Sequence, residues 1–354
     1  MVNQRRRVLV TGISGTLAGM LAAELEQRDD VEYLVGVDVR EPTHDLTRTE
    51  FVRADIRNPL VARVIASTEV DTVVHMGTLS APGRAGGRAR MKEQNVIGAM
   101  QLLAACQKAD KLERFVLKST TAVYGSDYAD PALFREENTP RVPPKSGYAK
   151  DATEIEGYAR SFGRRRKDVT LTILRFANFV GSSGDSAFGR YFSLPIVPTV
   201  LGYDPRLQFC HEQDAVEVLL RSVLEDHPGI YNVAGEGMLY LSQCIRMAGR
   251  VPGPVPSPLV SAVANLVRSS KAVDFSPEQL RFLQFGRVGD TSRLRDVFGF
   301  TPRYTTRTAF ESFLEGRKLK GLVNREDVVR WERELYEFVT RKGQERFAAA
   351  RDGN

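Results

Sequence analysis

A Val-rich run, Val8-Leu9-Val10-Thr11, leads straight into Gly12-Ile13-Ser14-Gly15-Thr16-Leu17-Ala18-Gly19, and few backbone arrangements satisfy such a join. An apolar run of this kind reads as a strand buried on both faces, and the chain leaving it must turn sharply at Gly12. At Gly15 a side chain would stand between a bound group and the amides that open the following helix, read as Thr16 to Gln27. Unpaired N–H groups and the positive end of the helix dipole make that turn an anion site, and strand, glycine turn and helix together describe a pyrophosphate site. Leu34-Val35-Gly36-Val37 reads as the second strand and ends on Asp38, a carboxylate placed to accept hydrogen bonds from adenosine ribose hydroxyls. Asp38 would repel a phosphate on that ribose, which favours NAD; Arg40, two residues on, keeps NADP as the alternative.

At 354 residues and 42% hydrophobic the chain can bury a sizeable core, as one large domain or two intimately joined ones. The net charge of +6 is modest. Its arginine runs, Arg5 to Arg7 and Arg164 to Lys167, lack interleaved aromatics and read as solvated surface rather than a nucleic-acid interface. Cys106, Cys210 and Cys244 fit no metal spacing; so sparse and odd a set predicts core filling in a reducing compartment, hence a cytoplasmic protein with no metal site. The basic first residues run into the first strand rather than a signal-peptide core, and no stretch approaches the ~18 apolar residues of a membrane span.

Further strands are expected at Glu50 to Arg53, Val70 to His75, Arg114 to Lys118 and Val169 to Leu174, with helices from about Met91 to Lys108 and Tyr148 to Phe162 between them. Such alternation predicts an α/β fold, a Rossmann-type doubly wound parallel sheet covered on both faces. The pattern loosens after Arg175, although Glu212 to Leu224 reads as a helix and Gly229 to Val233 as a strand. The expected division is therefore residues 1–175 as the dinucleotide-binding domain with 210–235 returning to it, a smaller interleaved substrate lobe from 176–209 and 236–314, and a C-terminal helical extension over 315–354. The proline-rich 251–258 reads as a surface connection, since prolines exclude it from a helix or central strand. Val328, Trp331, Leu335, Phe338 and Val339 recur at helical spacing, predicting a helix docked on its own domain or on a partner subunit, which allows a homodimer.

Taken in order from about Arg6 to Leu314, the chain resembles the extended short-chain dehydrogenase/reductase family, in its NAD-dependent epimerase/dehydratase branch typified by UDP-glucose 4-epimerase. Residues Thr11 to Ala18 resemble that family's TGxxGxxG loop, with Ala18 in the last glycine position. Asp55-Ile56 resembles the pair beside adenine, His75-Met76-Gly77-Thr78 the segment under the cofactor, and Asn95-Val96-Ile97-Gly98 its NVxGT helix. Lys118-Ser119-Thr120-Thr121-Ala122-Val123-Tyr124-Gly125 is similar to SSxxVYG, and Leu174 to Gly181 to LRxxNxxG. His211-Glu212-Gln213-Asp214 and Tyr231-Asn232-Val233 match later landmarks. More narrowly, the chain resembles an actinobacterial group of UDP-glucose-epimerase-like proteins.

The resemblance implies a cofactor site at Gly12, Ser14, Gly15, Thr16, Leu17, Asp38, Asp55, Ile56, Met76, Gly77, Asn95, Lys118, Ser119 and Tyr148. It implies chemistry at Thr120, which would orient a substrate hydroxyl, and at Tyr148, which would exchange its proton. The family's lysine, four residues after the tyrosine, lowers the tyrosine pKa and binds the nicotinamide ribose; here that position is Ala152. Lys150 is the nearest substitute, but residues two apart on a helix point to nearly opposite sides. On the substrate side Leu207 takes the position of a diphosphate-binding arginine, leaving Arg206 beside it and Asn178 as expected contacts. The implied activity is that of a sugar-nucleotide epimerase, dehydratase or oxidoreductase with an atypical site. The departures at Ala152 and Leu207 favour a non-catalytic NAD-binding scaffold or sensor, and a hydroxysteroid-dehydrogenase-like oxidoreductase is a third reading.

Overall fold

The computed structural model describes residues 5–80, 86–145, 147–181, 187–256 and 277–317. The first half runs β1 (Arg6–Thr11), α1 (Thr16–Glu26), β2 (Val31–Asp38), β3 (Thr49–Arg53), α2 (Leu60–Thr68), β4 (Thr72–His75), α3 (Arg88–Lys92), α4 (Gly98–Cys106), β5 (Arg114–Thr120), α5 (Gly147–Arg165) and β6 (Thr170–Phe176). There follow β7 (Asn178–Val180), α6 (Ala187–Ser193), β8 (Ile196–Val200), β9 (Arg206–Leu207), β10 (Phe209–His211), α7 (Glu212–Leu224), β11 (Gly229–Val233), β12 (Leu239–Tyr240), α8 (Leu241–Met247), β13 (Val251–Val255), α9 (Pro277–Phe285), α10 (Ser292–Asp296) and α11 (Thr306–Arg317). The extension expected beyond Arg317, with its helix around Trp331, lies outside the described residues.

Seven strands form one sheet in the order β11-β6-β5-β4-β1-β2-β3, and every pairing in it is parallel. From β1 the chain proceeds to β2 on one side and later to β4 on the other, so the strand order reverses between β1 and β4. In an open parallel sheet that is where connections diverge and leave a crevice at the carboxyl ends of the strands. Side chains alternate across each strand. Val8, Val10, Val74, Val116 and Leu174 pack under Leu21 and Leu25 of α1 and Leu219 and Val223 of α7. On the other face Leu9, Val73, Phe115, Leu117 and Ile173 pack under Ile65 of α2, Leu102 of α4 and Ile155 and Phe162 of α5.

A third core gathers Phe188, Tyr191, Phe192, Val197, Leu207, Phe209, Leu239, Ile245, Phe282, Leu283, Phe310 and Phe313. Its chain segments are separated by α7 and β11, which belong to the sheet, so the lobe is interleaved with it. Leu294, Phe298 and Phe300 join the sheet core beside Tyr231 rather than this one.

Two local readings are corrected by the structure. Val251–Val255 is a strand, parallel to β8, not a bare connection; its prolines fit a ladder bonded on one side, because alternate N–H groups there face outward and need no partner. Between α3 and α4 the helix widens into a π turn at Glu93–Ile97, interrupting the regular spacing read from Met91 to Lys108. Among the described residues no helix is long and apolar enough to cross a membrane, no cluster of His, Cys, Asp or Glu is arranged to hold a metal, and the three cysteines are buried and unpaired.

Candidate active site

The crevice between β1 and β4 is lined at one end by Gly12, Ser14, Gly15, Thr16, Leu17, Asp38, Arg40, Asp55 and Ile56, continues past Met76, Gly77, Thr78 and Gln94, and ends at Lys118, Phe179 and Glu212. Gly12 has φ +74°, and a Cβ there would stand 2.5 Å from Gly77 Cα. Backbone meets backbone across the sheet at that point. A Cβ on Gly15 would lie 3.2 Å from the Gly12 carbonyl oxygen, in the narrow turn before α1. No side chain caps the start of α1, so its first N–H groups are left to whatever enters the crevice.

Asp38 is held in place by its own loop. One carboxylate oxygen accepts from the Ser14 amide at 3.1 Å and the Ser14 hydroxyl at 2.6 Å, and the other from the Val39 amide at 2.7 Å. These bonds orient the carboxylate and leave lone pairs for further donors. Asp55 is gripped by the Arg57 guanidinium, whose Nε lies 3.0 Å from both carboxylate oxygens, and that grip holds its pKa below the usual carboxylate range. Ile56 reaches the crevice because Gly98 leaves room: a Cβ on Gly98 would stand 2.6 Å from Ile56 Cδ1.

Two buried polar atoms along the crevice, Thr78 Oγ1 and Gln94 Oε1, have no hydrogen-bond partner. Unpaired buried polar groups are costly unless a ligand supplies the partner. Together with the glycine cradle, the uncapped helix and the oriented Asp38, they fit a dinucleotide such as NAD.

Two residues beyond Lys118, Thr120 closes β5 and is hydrogen-bonded to the Tyr148 hydroxyl from the first turn of α5. Burial pushes the Tyr148 phenol up to about 12; the Thr120 bond opposes this, while Asp151 and Glu156 add to it. The helix around Tyr148 explains the charge. Asp151 is completely buried, held by Arg88 through two bonds at 2.7 and 2.6 Å and by Asn95 at 3.1 Å. Lys150 pairs with Glu154 at 3.8 Å, one turn along the helix. Ala152 is buried in an apolar cluster with Val123, Tyr124 and Phe134.

Of the motif residues, Ser119, Asn95 and Asn178, like Thr120 and Tyr148, stand outside the crevice lining. Ser119 turns to the opposite face of β5 and donates to Glu156 at 2.6 Å, within a buried pair between Glu156 and Arg175. Asn95, in the π turn, spends its amide on the Leu79 backbone, accepting at 2.8 Å and donating at 2.9 Å, and so fixes the crevice wall from behind. Asn178 begins β7 opposite Phe209, and it is the next residue, Phe179, that lines the crevice. On the substrate side Leu207 is wholly buried in the lobe core, while Arg206 on the same short strand is half-buried.

Arg287 escaped the sequence reading. Its half-buried side chain lies beside the turn that follows Tyr124, donating to the Gly125 carbonyl at 2.6 Å and the Ser126 hydroxyl at 3.2 Å, and desolvation pulls its pKa down to about 10. The available signal was the flanking glycines: a Cβ on Gly286 would lie 2.3 Å from the Arg206 carbonyl oxygen and one on Gly289 3.2 Å from Asn232. That close passage brings Arg287 and Arg206 together, with the Arg287 amide 3.1 Å from the Arg206 carbonyl.

The model of the NAD dependent epimerase/dehydratase family matches residues 8–234. The chain belongs to that family. This epimerase/dehydratase chain is 46% identical over 329 residues to an uncharacterised protein of Mycobacterium tuberculosis, covering 92% of this chain and 88% of the relative. It is 24% identical over 336 residues to UDP-glucuronic acid decarboxylase 6 of Arabidopsis thaliana, covering 89% of each. Among solved structures it is similar in fold to the UDP-glucuronic acid 4-epimerase of Bacillus cereus in complex with UDP-glucuronic acid and NAD, with TM-score 0.68, 19% identity and coverage of 89% and 100%. The UDP-glucose 4-epimerase of Thermotoga maritima with UDP-glucose gives TM-score 0.68, 17% identity and coverage of 88% and 98%.

Proposed function

We propose that this protein is an NAD-dependent oxidoreductase of the sugar-nucleotide epimerase/dehydratase kind, with UDP-glucose 4-epimerase-like chemistry as the specific reading. The observation that carries it is the Thr120–Tyr148 hydroxyl pair, two residues along β5 from Lys118, the strand's contribution to the lining of a crevice whose other end is shaped for a dinucleotide. Bound NAD supplies a hydride acceptor and donor. The chain's own residues do the rest: the amides opening α1 hold the pyrophosphate, Asp38 takes the adenosine ribose, and Asp55 with Ile56 flanks the base. Thr120 orients a substrate hydroxyl, and Tyr148 receives or returns its proton. With its phenol pushed up to about 12, Tyr148 is protonated at neutral pH and must lose its own proton before it can accept another. Arg206, half-buried on the strand that carries Leu207, offers a cation to a diphosphate, while the Leu207 side chain belongs to the lobe core. The UDP-sugars named for the neighbours support that substrate class.

A second reading, an NAD-binding scaffold or sensor without turnover, draws on Ala152 in its apolar cluster and on the raised phenol. Calorimetric titration with NAD and NADP, followed by a UDP-sugar panel scored for product and for NAD reduction, separates the two. NAD binding with turnover that Tyr148→Phe abolishes supports the enzyme. NAD binding with no turnover of any panel sugar assigns the scaffold.

A further inference from the structure

We propose that Lys118, carried on β5, supplies the cofactor-binding cation that helix α5 lacks at Ala152, holding the bound dinucleotide at the closed end of the crevice. This rests on the reading of that crevice as an NAD site. Of the cations around Thr120 and Tyr148, Lys150 is paired with Glu154, Arg88 with Asp151, Arg175 with Glu156, and Arg287 is spent on the Gly125 carbonyl and Ser126. Lys118 lines the crevice itself, and among the described residues no carboxylate lies within ion-pair distance of it.

Residues two apart on a strand share a face, so Lys118 and Thr120 emerge on the same side of β5 while Ser119 turns away to Glu156. The Lys118 ammonium stands 5.9 Å from the centre of the Phe179 ring, the aromatic wall at this end. A cation over an aromatic face is held without being neutralised. An ammonium kept this way, desolvated and short of acceptors, is suited to ribose hydroxyls and phosphate oxygens.

Burial lowers the Lys118 pKa to about 8. Beside it stand His75 from β4, neutral because its pKa falls to about 4, and Glu212 at the start of α7, which lines the same crevice; Tyr148 from α5, protonated below about 12, is bonded to Thr120 two residues on. Asp38, Arg40 and Asp55 lie at the adenosine end. Ligand contacts that use the ammonium favour its charged form and raise its pKa, so affinity is full below the free-protein value of about 8 and declines as pH rises from there towards the ligand-bound pKa of Lys118.

The test is NAD affinity measured from pH 6 to pH 10 for the wild type, Lys118→Met and Lys118→Arg. Expected are a wild-type affinity that declines at alkaline pH, a Met variant weaker by roughly 10- to 100-fold at pH 7 with no alkaline decline, and an Arg variant that keeps binding across the range. A Met variant that binds as tightly as wild type with the same alkaline decline overturns the proposal while leaving the NAD reading intact. A wild type that binds no NAD at any pH overturns that reading instead. Should the Met variant fail to fold, a wild-type affinity flat to pH 10 is itself sufficient to reject the role of Lys118.

Discussion

At the adenosine end of the crevice the fixed groups are backbone: Gly12 passing Gly77, the amides of the turn before α1, and a carboxylate, Asp38, oriented by the Ser14 amide. At and just beyond the Lys118 end they are side chains: Lys118 in the lining itself, and Thr120 and Tyr148 next along β5 and α5. Backbone geometry tolerates almost no substitution, because a glycine with positive φ and no room for a Cβ has no replacement. Side-chain chemistry can be moved. A charge lost from a helix can be supplied from a strand, provided both reach the same space. The comparison teaches that one end of the crevice is fixed by backbone, while the other, on the proposed reading, carries its chemistry on side chains.

The sharpest way to break that comparison is Gly12→Ala. With φ +74° and 2.5 Å to Gly77 Cα, the methyl group forces the two strand ends apart, at a cost of about 2–4 kcal/mol. Calorimetry should show NAD binding lost altogether, alongside a lower Tm; retained binding would show that the crossing is not what shapes the site.

The second test concerns Tyr148, raised from its ordinary value of 10 to about 12. If its ionised form accepts the substrate proton, that fraction grows with pH up to the folded pKa. kcat/KM for an accepted UDP-sugar with NAD present should then climb by about tenfold per pH unit from pH 7 to pH 9. A flat profile would remove Tyr148 from the proton transfer.

Ala152→Lys, which a motif comparison alone would offer as a repair, should instead destabilise the chain. Ala152 is packed against Val123, Tyr124 and Phe134, so the longer side chain overpacks that cluster by about 1–3 kcal/mol. A thermal melt several degrees lower with no gain in turnover is expected; a gain in turnover at unchanged Tm would mean the helix position still opens on the cofactor. The smallest effect belongs to Asp38→Ala, which leaves the glycine frame untouched. It should narrow the preference for NAD over NADP by about tenfold, measured as the ratio of the two Kd values.

The frame was legible in the sequence because glycine spacing, an acid at a strand end and alternating apolar runs each have one dominant physical cause. Gly12, Gly15, Asp38 and the parallel strands from Val8 to Val233 were found that way. The closed end was less legible. Ser119 and Asn95 match motif positions, yet strand alternation and a π turn point them at Glu156 and at the Leu79 backbone. Leu207 stands where an arginine was expected, and its side chain packs into the lobe core. Arg287 gave no periodic signal, since its place depends on two distant segments crossing at Gly286. Local pattern reveals what local backbone decides; which way a side chain turns, and which buried charge has a partner, is set by neighbours remote in sequence.

The lobe core is stitched from segments around Phe192, Phe209, Leu239, Phe282 and Phe310, with α7 and β11 of the sheet intervening. Thr306 binds the Gly235 carbonyl at 3.0 Å and the Gly235 amide binds the Phe209 carbonyl at 2.8 Å, pinning three of these segments at one point. No single pair of cuts frees such a lobe. It cannot be expressed as an excised module, and grafting a relative's substrate preference onto this scaffold means exchanging several separated stretches at once. Its assembly also has to wait for the sheet, because loops that long close only when a framework already holds their ends.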